Sequence, residues 1–314
     1  MMVFLAHVLT AAAPSSTVYL MRHCARATYL PDLYGGQEPR YLANYSDGGD
    51  LPSWGVAPTL CTARGRKLVQ GQGKSLRSEV LARMGAEQIL KVIYDAGSKR
   101  DNTTALDFVT GLGLPAVHRC GEPEIFTPPT DWCPAVSSDA KIAAVKDQLA
   151  RMPEPPDYAA RIAKLQKVLG KGTAAPMQEI KDVPAGGPIG WLGGSFVASS
   201  WIEAMFLQLG AGLPMAYGRV DVETLYKELL PLHVYYRSIS DRGFAVERRG
   251  ESNLLAHMLR DLSAPEAGVS LYVGHDTNLD GIAVTLPLGT FPWWHAWPGS
   301  HALASPIPLH WCRR

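Results

Sequence analysis

Two short segments carry side chains suited to phosphate ester chemistry. Arg22-His23-Cys24-Ala25-Arg26 sets guanidiniums on both sides of an imidazole. A guanidinium is a planar fork of donors that matches phosphate oxygens, and its charge does not titrate away. Cationic neighbours also favour a neutral, nucleophilic His23. Taken alone, an Arg-His pair reads more readily as an exposed basic turn without a ligand. Much further along, His275-Asp276-Thr277-Asn278 adds a second imidazole and a carboxylic acid. An acid beside a bound phosphate can protonate a departing alkoxide, the general-acid step in cleaving a phosphomonoester. The same Asp276 or Thr277 would serve as a helix cap, and the two roles are compatible.

Each segment needs an element to aim it. Thr17–Met21 is a β-rich apolar run ending at the first cluster, and Gly268–Gly274 is another ending at the second. Ile89–Tyr94 reads as a further strand. Long helical stretches separate these runs, which predicts an α/β fold with a mixed, largely parallel sheet flanked by helices. Ligands bind such sheets at the carboxyl ends of the strands, where both clusters stand.

Thr62 is placed to cap a helix running through Leu68, Leu76 and Val80 to Met84, and Thr103 or Thr104 one through Phe108 that Gly111 and Gly113 would end. Residues 29–58 read as a long ordered loop. From Cys120 to Pro188, Pro-rich loops alternate with polar helical patterns near Asp139–Arg151 and Asp157–Leu169. Apolar or amphipathic helices follow from Ser195 to Gly210, Val222 to Ile239 and Ser252 to Leu262, and Leu279–Leu286 is a last helix-like run. The expected organisation is a discontinuous core, 15–119 plus 189–290, holding a helical insert at 120–188. Residues 1–14 resemble the end of a secretory signal without its basic part, and 291–314 form an atypical tail.

Composition narrows the partners. Hydrophobic residues make up 46% of the 314-residue chain, enough for a sizeable core, and a net charge of +1 without basic blocks gives no nucleic-acid surface. No apolar run reaches the length of a membrane span. Among the five cysteines, Cys120 and Cys133 flank a Pro-rich loop, and a local disulfide is favoured there over unpaired thiols. A zinc site from His118, Cys120 and Cys133 ranks last, lacking a fourth ligand. Gly71-Gln-Gly73-Lys74-Ser75 imitates part of a phosphate-binding loop, but Leu68 stands where that motif needs glycine and the stretch reads as helix.

Together the two clusters resemble the histidine phosphatase superfamily, in its histidine acid phosphatase branch, which includes bacterial phytases and glucose-1-phosphatases. The family's Arg-His-Gly-x-Arg-x-Pro stands here as Arg22-His23-Cys24-Ala25-Arg26-Ala27-Thr28, and its His-Asp pair as Gly274-His275-Asp276-Thr277-Asn278-Leu279. Its Leu-Thr-x-x-Gly stands as Cys61-Thr62-Ala63-Arg64-Gly65. The resemblance runs, with gaps, from Val18 to Pro287 and implies a phosphoglycerate-mutase-like core. It implies an acid phosphomonoesterase, phytase-like, acting on inositol or sugar phosphates without metal or organic cofactor. His23 would attack phosphorus and carry a phosphohistidine. Arg22, Arg26 and His275 would hold the phosphoryl oxygens, and Asp276 would protonate the leaving group. Arg100 in Ser98-Lys99-Arg100-Asp101 is the candidate third arginine, although the family's Arg-Thr pair is absent. Thr28, Glu203, His233 and Thr277 fall at pocket positions, where capping or solvent-facing roles are open alternatives for Glu203 and His233.

Three departures accompany these expectations. Cys24 replaces a glycine and would crowd the loop, and Thr28 replaces a proline. The family's Gly-Gly-Glu segment and further strand give way to Phe291-Pro-Trp-Trp-His, the sign of a truncated or frame-altered end. The expected state is a periplasmic or secreted monomer with a small-molecule phosphomonoester as partner. The rival readings are a non-catalytic phosphate-binding relative and a phosphoglycerate-mutase-like phosphoryl transferase.

Overall fold

The structure, a computed structural model, describes residues 16–28, 45–48, 51–84, 90–114, 118–126, 138–170, 194–240, 244–264 and 268–286. The expected signal remnant, the C-terminal tail and the Cys120–Cys133 pairing lie outside them. Among the described residues, four strands make one sheet: β1 (Thr17–Arg22), β2 (Leu90–Tyr94), β3 (His118–Gly121) and β4 (Val269–Gly274). Their order is β1-β4-β2-β3 and all pairings are parallel. Antiparallel pairing, among the described residues, is limited to an isolated bridge between Arg26 and Cys61. The fold is α/β, as the sequence predicts. β3 is not predicted, because His118-Arg119-Cys120-Gly121 has no apolar alternation and an edge strand needs only one partner.

The helices are α1 (Ala63–Arg83), α2 (Lys99–Leu112), α3 (Pro123–Phe126), α4 (Ser138–Arg151) and α5 (Tyr158–Leu169). They continue with α6 (Gly194–Ala211), α7 (Val222–Thr224), α8 (Leu230–Ser240), α9 (Phe244–Leu262) and α10 (Asp276–Thr285). Thr62 caps α1 as expected, its Oγ1 accepting the Gly65 N–H at 3.0 Å. α2 begins earlier than Thr103 or Thr104 would allow. Ser98 occupies its N-cap, and both threonine hydroxyls turn back to carbonyls one turn before them, Lys99 and Arg100, so they sit comfortably inside the helix. Gly111 lies within α2, and Gly113, left-handed at φ 65°, ends it. α9 likewise starts at Phe244, ahead of the expected Ser252.

The described residues divide into two compact units, one gathering those within 16–23, 70–152 and 244–286, the other those within 24–69 and 153–240. The stretch 120–188 contributes to both, α4 to the first and α5 to the second.

The first unit is built on the sheet. β1 and β4 read as unbroken apolar runs because both of their faces are covered. Val18, Leu20 and Tyr272 point into a core with Ile93, Phe126, Leu254 and Met258. Tyr19 and Tyr272 are buried yet keep their polar tips satisfied, donating to Glu79 at 3.0 Å and Asp261 at 2.7 Å. Gly71 and Gly73 lie inside α1, not in a phosphate loop; a Cβ on Gly73 would come within 2.2 Å of the Phe108 carbonyl of α2.

The second unit is helical. α6 is buried along most of its length, with Trp201, Ile202 and Met205 inaccessible. Between α7 and α8 the helix widens into a π turn over Leu225–Leu229, just before Pro231. Proline has no N–H for the carbonyl four residues back, Lys227, and its ring crowds that carbonyl. Arg161 of α5 takes over, donating to the Lys227 and Glu228 carbonyls at 2.9 and 2.6 Å.

Candidate active site

The register of β1 on β4 decides the site. Arg22 stands opposite Gly274, so His23 and His275 leave adjacent parallel strands side by side. The His23 N–H donates to the Gly274 carbonyl at 2.9 Å, and the two rings meet edge to face with centroids 5.2 Å apart. His23 is buried. His275 is the N-cap of α10, and its own N–H donates to Asn278 Oδ1 at 2.7 Å. Gly274 makes room for that bond, since a Cβ there would lie 2.5 Å from the same oxygen. The Asn278 amide in turn donates to both Glu251 oxygens, at 3.1 and 3.2 Å. Burial pushes the Glu251 carboxyl up to about 8, with Asp280 adding to the rise and Asn278 opposing it.

β2, the next strand over, brings the third group. Asp95 Oδ1 accepts the Gly97 N–H at 2.8 Å, turning the chain from β2 into α2. The second residue of α2 is Arg100, whose Nη2 hydrogen-bonds His275 Nε2. Arg22 Nη2 lies 3.4 Å from Asp276 Oδ2, and Asp276 opens α10 with Oδ1 accepting the Thr277 N–H at 3.1 Å. The expected Arg22, His23, Arg100, His275, Asp276 and Thr277 therefore gather at the carboxyl ends of three adjacent strands.

One residue here was not singled out from the sequence. Asp101 is fully buried, and its Oδ2 lies 3.5 Å from His275 Nδ1. Burial pushes its carboxyl up to about 7; Arg100, Ser98 and Arg22 pull it down, and Asp95 adds to the rise. The signal in the sequence was an acid standing where the family pattern has threonine. His23, Asp101 and His275 each offer an atom within 4.8 Å of the others, a spacing that could hold a metal ion. Two guanidiniums reach the same cluster, Arg100 onto His275 and Arg22 close enough to bias Asp101. That charge suits an anion better than a cation.

Arg26, Thr28, Glu203 and His233 belong to the helical unit. Arg26 is buried and donates from Nη2 to Glu203 Oε1 at 3.0 Å. His233 Nδ1 and the Ser199 hydroxyl share a hydrogen bond of 2.8 Å, and Ser199 and Glu203 lie one turn apart on α6. Thr28 is partly buried. Cys24 does not crowd its loop as expected: it is buried and forms a disulfide with Cys61, their Cα atoms 5.6 Å apart. Around that link, Thr62 N–H donates to the Ala25 carbonyl at 2.9 Å and Ala27 N–H to the Leu60 carbonyl at 3.0 Å. The start of α1 is thus fastened to the segment that follows the nucleophile candidate.

These observations define an α/β protein with a two-histidine, two-arginine, two-carboxylate cluster at its strand ends. Its fold is that of the bacterial phytases. It superposes on the phytase from Citrobacter braakii with a TM-score of 0.68 at 22% identity, over 87% of this chain and 75% of that one. A Hafnia alvei phytase in complex with myo-inositol hexakis sulphate matches at 0.66 and 21%, with the same coverage. A Bifidobacterium longum multiple inositol polyphosphate phosphatase, in complex with inositol hexasulfate, matches at 0.51 and 11% over 88% of this chain and 77% of that one. No protein-family profile matches the sequence, and no curated protein matches it. No helix among the described residues is long and apolar enough to cross a membrane.

Proposed function

We propose that the protein is an acid phosphomonoesterase that works through a phosphohistidine on His23, with inositol or sugar phosphates as substrates. The observation that carries this reading is the β1–β4 register, which sets His23 against His275 and Asp276 while Arg22 and Arg100 converge on the same strand ends. Arg22, Arg100 and His275 hold the phosphoryl oxygens and offset charge as it builds. An imidazole nitrogen of His23 attacks phosphorus, the P–O bond to the leaving group breaks, and the proton of Asp276 passes to the departing oxygen. Water then attacks the phosphohistidine, Asp276 accepts its proton, and His23 and inorganic phosphate are released. A carboxyl that must carry a proton confines turnover to acidic pH. The substrate class rests on the shared fold with proteins holding inositol hexasulfate. The Cys24–Cys61 disulfide supports an oxidising, extracytoplasmic location.

The test is phosphate release from an aryl phosphate and from phytate at mildly acidic pH, with chelator present, for wild type and His23→Ala. Turnover that resists chelator and disappears in the variant supports the mechanism. A folded wild type that binds phosphate without turning it over would identify a phosphate-binding relative instead.

A further inference from the structure

Asp101 offers the catalytic cluster something that the arginines cannot. Arg100 carries only donors, so its hydrogen bond to His275 Nε2 makes that nitrogen the acceptor. The proton of a neutral His275 ring then sits on Nδ1, facing Asp101 Oδ2 at 3.5 Å. In this state Nε2 has no N–H to give to a phosphoryl oxygen. One more proton on the pair changes that. With the proton on the imidazole, Asp101 is a carboxylate and both ring nitrogens are donors. With it on Asp101, the acid O–H faces Nδ1 and the ring proton moves to Nε2. Either way Nε2 changes from acceptor to donor, gives up its bond from Arg100 and turns its N–H to the phosphoryl group, to which Arg100 then donates as well.

We infer that Asp101 is a positioning residue that keeps a shared proton on the Asp101–His275 pair, so that His275 presents an Nε2–H donor to the phosphoryl group. The inference deepens the proposed function and rests on it for the identity of the ligand. Asp101 is inaccessible to water, so the proton cannot be replaced by hydration, and its raised carboxyl retains a proton through the mildly acidic range. The groups facing the pair are Arg100 on α2, Asp95 after β2, Arg22 at the end of β1, the Ser98 hydroxyl, and the His23 ring. The arginines bring phosphate in and oppose the extra proton on His275, whereas Asp101 faces the ring nitrogen directly and favours it.

The experiment follows inorganic phosphate affinity and kcat/KM from pH 4.5 to 8.5 for wild type and Asp101→Asn, alongside ring ¹⁵N and carboxyl ¹³C titrations. In the variant, the pH above which phosphate affinity falls should move down by about one unit or more, the usual effect of removing a neighbouring carboxylate. Affinity at the midpoint of the wild-type profile should then fall roughly fivefold or more, approaching tenfold at higher pH. In wild type the Asp101 carboxyl and the His275 ring should report the same two midpoints, as a coupled pair must. An unmoved profile in Asp101→Asn, or independent midpoints in wild type, overturns the inference; the second measurement requires no variant to fold. Failure of the proposed function would look different: wild type would bind phosphate with this pH dependence and yet release none from esters.

Discussion

Gly65 provides a sharp test of how the segment after the nucleophile is held. A Cβ added there would lie 2.2 Å from the Ala25 carbonyl oxygen, against the 3.0 Å that Cβ contacts require. The start of α1 and the segment 24–27 would have to separate by about 0.8 Å. The segment has little room to yield. It is tied to α1 by the Thr62–Ala25 and Ala27–Leu60 hydrogen bonds and by the Cys24–Cys61 disulfide. Overpacking against a fixed backbone costs about 1–3 kcal/mol, and for a chain of this size that lowers Tm by roughly 2–5 °C. Ala25 is two residues from His23 and next to Arg26, so a displacement on this scale should cost on the order of 10- to 100-fold in kcat/KM. Gly71→Ala is the matched control. It lies on the same helix with no atom within 4 Å of its would-be Cβ, and should stabilise by about 0.5–1 kcal/mol through helix propensity. Thermal unfolding and aryl phosphatase assays on both variants decide the matter. If Gly65→Ala behaves like Gly71→Ala, the close-approach argument is wrong.

Asp276→Asn should slow release of a poor, alkoxide leaving group by on the order of 10²–10⁴-fold while sparing an activated aryl phosphate, which needs little protonation; equal losses on both substrates would remove Asp276 as the acid. Reducing the Cys24–Cys61 link, or replacing both residues by alanine, frees a segment with 37 residues of separation and should cost at most about 4 kcal/mol, read as a lower denaturant midpoint. Glu251 gives a pH dependence of stability. Its carboxyl is raised from 4.5 to about 8, so the folded chain holds a proton that the unfolded chain has lost, and stability falls as pH rises between those values. Glu251→Gln removes this loss, flattening the profile by about 4 kcal/mol at pH 8 relative to pH 4.5; denaturant midpoints across that range would show an unchanged slope if the group is ionised in the fold.

What could be read from the sequence was local chemistry, and what could not was long-range placement. The strand runs ending at Arg22 and Gly274 and the Thr62 cap were visible because each is signalled by residues within a turn or two of itself, whereas Arg100 was named only through the family resemblance. The register that makes a site of them was not, because it depends on β4 inserting between β1 and β2 after most of the chain has been laid down. The Cys24–Cys61 pairing escaped for the same reason: proximity in sequence favoured Cys120 with Cys133, whereas Cys24 meets Cys61 only where two remote loops are bridged. Asp101 is the most instructive case. In sequence it is one more polar residue in the first turn of a helix, where an acid is ordinarily a solvated partner of the helix dipole. Only the stacking of three strand ends buries it and turns its carboxyl toward His275. Burial converts a helix-terminal charge into a group that can keep a proton near neutral pH. A residue that the sequence presents as a departure from a pattern thereby becomes the one whose titration tests how the site works.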